Sequence, residues 1–228
     1  MMTLLPSKTN GITSIQNLVP ANKYKIKCPN TMTPTRIVVH NTANDAPATN
    51  EITYMNHNNL EVSYHIAVDD KQIVQGIPFN RNGWHAGDGG KGAGNRQGIG
   101  IEICYSKSGG TKFTNAELNA SKLIAYILKT YGWNTTKITK HQDYSKKHCP
   151  HRTLDLGWTR FITMCQKELD KLNGKAPSPV PTPTKPLPSP TPTTSKISLT
   201  AVKNDLTNIN TSLTKVINDL DAYIKEQK

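Results

Sequence analysis

The stretch KHQDYSKKHCPHR, residues 140–152, places His141 eight residues ahead of Cys149, with Lys147 and Pro150 beside the cysteine. Upstream, the apolar run of RIVVHNTAN ends on His40. Two imidazoles and a thiolate make a three-ligand set for zinc. The fourth tetrahedral position stays open to water, which separates a catalytic zinc from a closed structural one. A lone histidine at a strand end is more often a satisfied polar group. Two of them with a Cys-Pro pair raise the weight of the metal reading without deciding it. Glu102, in GIGIEICYS, interrupts an apolar strand. A buried carboxylate is costly unless paired or functional. Beside zinc it can take the proton of a water whose pKa the metal lowers to about 7, and pass it to a leaving amine. A strand with one exposed face and a salt bridge fits the same pattern. Lys147 and Tyr64, the latter in EVSYHIAVDD, offer a cation and a phenol to a developing oxyanion. Lysines are abundant here, so Lys147 also reads as a solvated charge.

These groups need a scaffold that brings strand ends together. The pattern predicts strands over 36–40, 98–104 and 137–140, and a hairpin of 64–68 with 72–75 around Asp69-Asp70. Helices are expected over 50–58 with Thr49 as N-cap, over 115–131 with a Thr114/Glu117 capping box, and over 159–172. Strands interleaved with helices imply an α/β fold: a mixed central sheet with helices on both faces. His40 and His141 then close two strands at the sheet edge where ligands bind, and eight residues of loop suffice to bring Cys149 back to them.

The expected main domain spans 15–175. A Pro/Thr/Ser-rich linker over 176–197 follows, a semi-rigid spacer of about 3.1 Å per residue. Residues 198–228 contain no Pro or Gly. There Leu199, Val202, Leu206, Ile209, Leu213, Val216, Leu220 and Tyr223 keep a heptad rhythm. An isolated helix of that length is marginal, so its apolar face needs a partner. Self-association into a homo-oligomer is the expected use, with docking on the main domain or contact with the cell wall as alternatives. The 228-residue chain carries a net charge of +12, and only six of its 28 basic residues lie beyond 175. A basic main domain suits an anionic polymer: nucleic acid, a membrane surface, or a wall rich in phosphate and carboxylate. Aromatic residues make up only 6% and do not interleave with Lys/Arg as in a nucleic-acid binder. No run reaches a membrane span. Cys28, Cys104, Cys149 and Cys165 form no CxxC, which favours reduced thiols over a disulfide framework. The N-terminal residues lack a signal-peptide core. The expected location is therefore the cytosol, unless another factor releases the protein.

RIVVHNTAN, VSYHIAVDD, GWHAGDG, IGIEIC and KHQDYSKKHCPHR, in that order, resemble the type-2 N-acetylmuramoyl-L-alanine amidases, zinc enzymes of the peptidoglycan recognition protein superfamily. The resemblance covers about 16–172. It implies zinc on His40, His141 and Cys149, Glu102 as catalytic base and Lys147 as transition-state stabiliser. Tyr64 falls where some members carry a catalytic tyrosine and others a tryptophan. Asn41, Thr42, Trp84 and His85 become candidate substrate contacts, Trp84 and His85 as a platform for a sugar or lactyl face. The implied substrate is Gram-positive peptidoglycan, cut between the lactyl group and L-alanine, as by a phage endolysin or autolysin, and the implied location is the host bacterial cytoplasm until release to the cell wall. The rival within the superfamily is a module that binds peptidoglycan without cutting it, a state often marked by loss of the cysteine. His151, close to Cys149, keeps a fourth, structural ligand open as a question.

Overall fold

The computed structural model describes residues 2–175. The 176–197 linker and the 198–228 heptad segment lie outside the described residues. Seven strands form one mixed sheet in the order β1-β2-β5-β4-β6-β3-β7. They are β1 (Lys8–Thr9), β2 (Ile12–Gln16), β3 (Arg36–Asn41), β4 (Ile66–Val68), β5 (Gln72–Gln75), β6 (Gly98–Ile103) and β7 (Ile138–Lys140). The central four, β4, β6, β3 and β7, run parallel, so their C-terminal ends meet at one edge. β4 and β5 form the expected antiparallel hairpin.

Alternation along the two central strands sorts their side chains. Ile37 and Val39 of β3 and Ile99, Ile101 and Ile103 of β6 are fully buried in the main core. On the other face the paired residues are Val38 with Gly100 and His40 with Glu102. Pairing in register puts the histidine and the carboxylate side by side. The helices are α1 (Tyr24–Lys27), α2 (Ala48–His57), α3 (Ala93–Gln97), α4 (Gly110–Tyr131), α5 (His151–Asp155) and α6 (Trp158–Leu172). α2 packs on β4 and β5, while α4 packs on β4 and β6 and carries α6. Helices thus cover both faces of the sheet. The buried side of α4, which includes Phe113, Ala120, Leu123, Ile124, Ile127 and Leu128, follows the 3.6-residue period. No helix among the described residues is long and apolar enough to cross a membrane.

Three local expectations change. The fold begins ahead of residue 15: β1 and β2 extend the sheet, and the buried Leu5 donates its N–H to Gln75 Oε1 at 2.8 Å. Thr49 is not the N-cap of α2, which starts at Ala48 with Pro47 in the cap position. Asp69 from the hairpin turn caps it instead, its Oδ2 accepting from Ala48 N–H at 3.0 Å while Oδ1 accepts from Lys71 and Gln72 N–H. α4 starts five residues early, after Gly109 at φ 73°, where a Cβ would lie 2.4 Å from the Arg152 guanidinium. Thr114 therefore lies inside the helix and bonds back to the Gly110 carbonyl, while the buried Glu117 pairs with Arg160 of α6 at 2.8 Å. The capping-box pattern is overridden by a helix–helix ion pair.

Candidate metal centre

β3 delivers His40 at its C-terminal end, and the chain leaving β7 delivers His141 as its next residue. The loop back to Cys149 is closed by its own backbone: Tyr144 and Ser145 N–H donate to the His141 carbonyl, and Gln142 N–H donates to the Cys149 carbonyl. α5 (His151–Asp155) starts directly behind Cys149, and Asn41 of β3 fastens it by accepting from Thr153 N–H and donating to Thr153 Oγ1.

The three expected ligands converge. His40 Nδ1 lies 3.0 Å from His141 Nδ1 and 3.9 Å from Cys149 Sγ, and all three donor atoms fall within 4.8 Å of one another. Donors sharing one tetrahedral zinc at ordinary bond lengths stand about 3.3 Å (N···N) and about 3.6 Å (N···S) apart. Two nitrogens and a sulfur at these separations fit a metal ion. Burial, with the neighbouring His85, His141 and Lys147, pushes the His40 imidazolium well below the usual range; burial and Lys147 lower His141 as well. Both rings are thus neutral, as ligation requires. Burial, then the Glu102 charge, raises the Cys149 thiol to about 11, opposed by the Asn41 backbone N–H and by Lys147. A cation at the site would shift that balance toward the thiolate.

Glu102 stands beside this set, Oε1 4.0 Å from His40 Nδ1, with the buried Oε2 lacking any hydrogen-bond partner. Burial, then the charge of Glu51, raises its carboxyl to about 8, against the pull of Lys147. Tyr64 is 7% exposed, and its hydroxyl donates to Glu51 Oε2 at 3.1 Å. Burial and the charges of Glu51 and Glu102 keep the phenol protonated. A groove of about 710 Å³ opens over these groups, lined by His40, Glu102, His141, Lys147, Tyr64, Trp84 and His85 and also by Glu61, Val62, Gly87, Gly89 and Gly90. The segment around Glu61 is pinned by the buried Lys27, whose ammonium donates to Asn58 Oδ1 and to the Leu60 and Val62 carbonyls.

The candidate substrate contacts separate. Trp84 lines the groove with its indole N–H tied to the Ile26 carbonyl at 2.9 Å. His85 lies at the floor, 7% exposed and 3.0 Å from His40. Asn41 is buried on Thr153 and Thr42 Oγ1 is buried without a partner; neither lines the groove. His151 bonds the Ser106 carbonyl and is not part of the three-donor cluster. His148 pairs with Asp155 at the surface, and Cys28, Cys104 and Cys165 are buried free thiols. Glu51, which holds Tyr64 and acts on Glu102, carries no signal in ATNEITYMNH that marks it among helical carboxylates.

Comparison with known proteins points the same way. The family described as N-acetylmuramoyl-L-alanine amidase matches residues 30–152, a span holding every residue of this centre. The chain is 53% identical to the N-acetylmuramoyl-L-alanine amidase CwlA of Bacillus subtilis, over 74% of this chain and 62% of that protein. It is 53% identical to XlyB of the same organism, over 68% and 49%. The chain thus spans about half to three-fifths of these relatives. The solved structure of PlyL is 49% identical and matches with a TM-score of 0.67, covering 69% of this chain and 99% of that one. The solution structure of the PlyG catalytic domain is 48% identical with a TM-score of 0.66. In sequence and fold alike, the chain belongs to the N-acetylmuramoyl-L-alanine amidase family.

Proposed function

We propose that this protein is a zinc-dependent N-acetylmuramoyl-L-alanine amidase that hydrolyses the amide between the lactyl group of N-acetylmuramic acid and the L-alanine of the stem peptide, as an endolysin acting on Gram-positive peptidoglycan. The observation carrying this reading is the convergence of His40, His141 and Cys149 under an open groove, with an unpartnered oxygen of Glu102 beside them.

In this reading the two neutral imidazoles and the thiolate hold zinc, which when bound supplies Lewis acidity toward water and the scissile carbonyl. Glu102 takes the proton from the attacking water and gives it to the L-alanine nitrogen as the C–N bond breaks; a carboxyl raised toward neutrality suits both halves of that transfer. Lys147 brings its ammonium to the oxyanion. Tyr64 is the second candidate donor there and must exchange its bond to Glu51 to serve. Trp84 presents its ring to the sugar or lactyl face. Asn41 and Thr42 stand outside the groove lining and are not substrate contacts in this reading. The catalytic domain ends near 175, the proline-rich segment acts as a spacer, and residues 198–228 serve self-association, with docking on the main domain or contact with the wall as the alternatives.

Mass spectrometry of purified peptidoglycan digested with and without a zinc chelator tests the activity. Stem peptides with a free L-alanine N-terminus beside intact glycan, lost on chelation, are the expected products. Intact wall under both conditions would transfer the protein to the non-cutting, peptidoglycan-binding class.

A further inference from the structure

We infer that His85 is a positioning residue that fixes the tautomer and orientation of His40 through a hydrogen-bonded chain ending on the backbone of β6. The inference rests on the metal reading above. His40 turns Nδ1 toward His141 and Cys149 and Nε2 toward His85 Nδ1, 3.0 Å away. His85 Nε2 in turn lies 3.3 Å from the Gly98 carbonyl. Only one assignment of protons satisfies all three contacts. A carbonyl can only accept, so His85 carries its proton on Nε2, and its Nδ1 is then an acceptor. His40 must donate from Nε2, which leaves the Nδ1 lone pair free for a metal. The reverse tautomer would place two lone pairs face to face at Gly98 and a proton where the ligand bond has to form. The backbone of β6 thereby dictates the protonation of a ring it does not touch.

The His85 ring is built into place. The backbone N–H groups of His85 and Ala86 both donate to Asn95 Oδ1 at 2.8 Å. It packs edge-on to His40 and to His65, and His65 is itself locked between Gly100 N–H and the Arg81 carbonyl. Gly100 leaves the necessary room: a Cβ there would fall 2.7–2.9 Å from His85 ring atoms. In GIGIE, three alternate positions thus act on one face of one strand. Gly98 gives the carbonyl, Gly100 the space and Glu102 the carboxylate. Outer partners of metal-bound histidines of this kind typically change metal affinity 10–100-fold.

The test uses the full chain as wild type, His85→Leu, His85→Asn and Gly100→Ala. Zinc dissociation constants come from competition with a chromophoric chelator, and nitrogen-15 NMR of the zinc-loaded wild type locates the His40 ring proton. His85→Leu is expected to weaken zinc about 10–100-fold. His85→Asn keeps an acceptor oxygen near the Nδ1 position and should recover most of that loss, while Gly100→Ala should follow His85→Leu. The NMR should place the His40 proton on Nε2. Wild-type affinity in His85→Leu, or a His40 proton on Nδ1, overturns the inference while leaving the metal site standing. If His85→Leu does not fold, His85→Asn and Gly100→Ala carry the comparison, and wild-type zinc affinity in Gly100→Ala overturns the inference. A wild type that does not bind zinc overturns the metal reading and this inference with it.

Discussion

Glu102 should make the metal-free protein less stable, and Glu102→Gln should reveal by how much. Its carboxyl titrates at about 8 in the fold against an ordinary 4.5. Below 4.5 the group is protonated in both folded and unfolded chains and contributes no difference. Between 4.5 and about 8 the unfolded chain gives up this proton and the folded one retains it, so stability falls as pH rises. At 1.36 kcal/mol per pH unit, the ceiling above pH 8 is about 5 kcal/mol. Glutamine never ionises and escapes the cost. Thermal melts of chelator-treated wild type and Glu102→Gln should nearly coincide at pH 4.5 and separate by at least about 5 °C at pH 8.5, with the variant the more stable. The same variant should lose roughly 10²–10⁴-fold in amide hydrolysis. Every other titrating group is common to both proteins, so the change in the gap isolates this carboxyl. A gap that is constant with pH, or that favours wild type at pH 8.5, would refute the reasoning.

Lys147→Ala should lower kcat about 10²-fold with zinc content unchanged by metal analysis, since the ammonium serves the oxyanion and is not a ligand. Arg160→Ala leaves the buried Glu117 without its partner and should cost about 3 kcal/mol, read as a lower midpoint in urea melts with unchanged slope. If the heptad segment associates with itself, deleting 177–228 should reduce the mass to that of a monomer in sedimentation equilibrium; an unchanged mass would remove the coiled-coil reading.

What the sequence disclosed about this fold was the part set by short-range pattern. RIVVH and GIGIE announce buried parallel strands, and a histidine or carboxylate in such a run can be placed on the sheet edge without coordinates. The return of Cys149 to His141 follows from loop length. Features that depend on a distant element were hidden. The caps expected at Thr49 and Thr114 lost to Asp69 and to the Glu117–Arg160 pair, each supplied from another part of the chain. β1 and β2 are short and polar on one side, so they lack the apolar run that marks a strand. His85 sits in a glycine-rich loop, and a loop has no period from which to learn that a ring points inward. Glu51 belongs to the centre only through its contact with Tyr64, which no helical spacing encodes.

The Lys27 clamp bears on how this groove could be re-engineered. Two of its three acceptors are main-chain carbonyls, and the third is the Asn58 side chain. The clamp on the 58–62 loop therefore uses none of the side chains of Leu60, Glu61 and Val62, which are exposed. Combinatorial libraries at those three positions would sample new surface chemistry on a fixed backbone, with the conformational entropy of the loop already spent during folding.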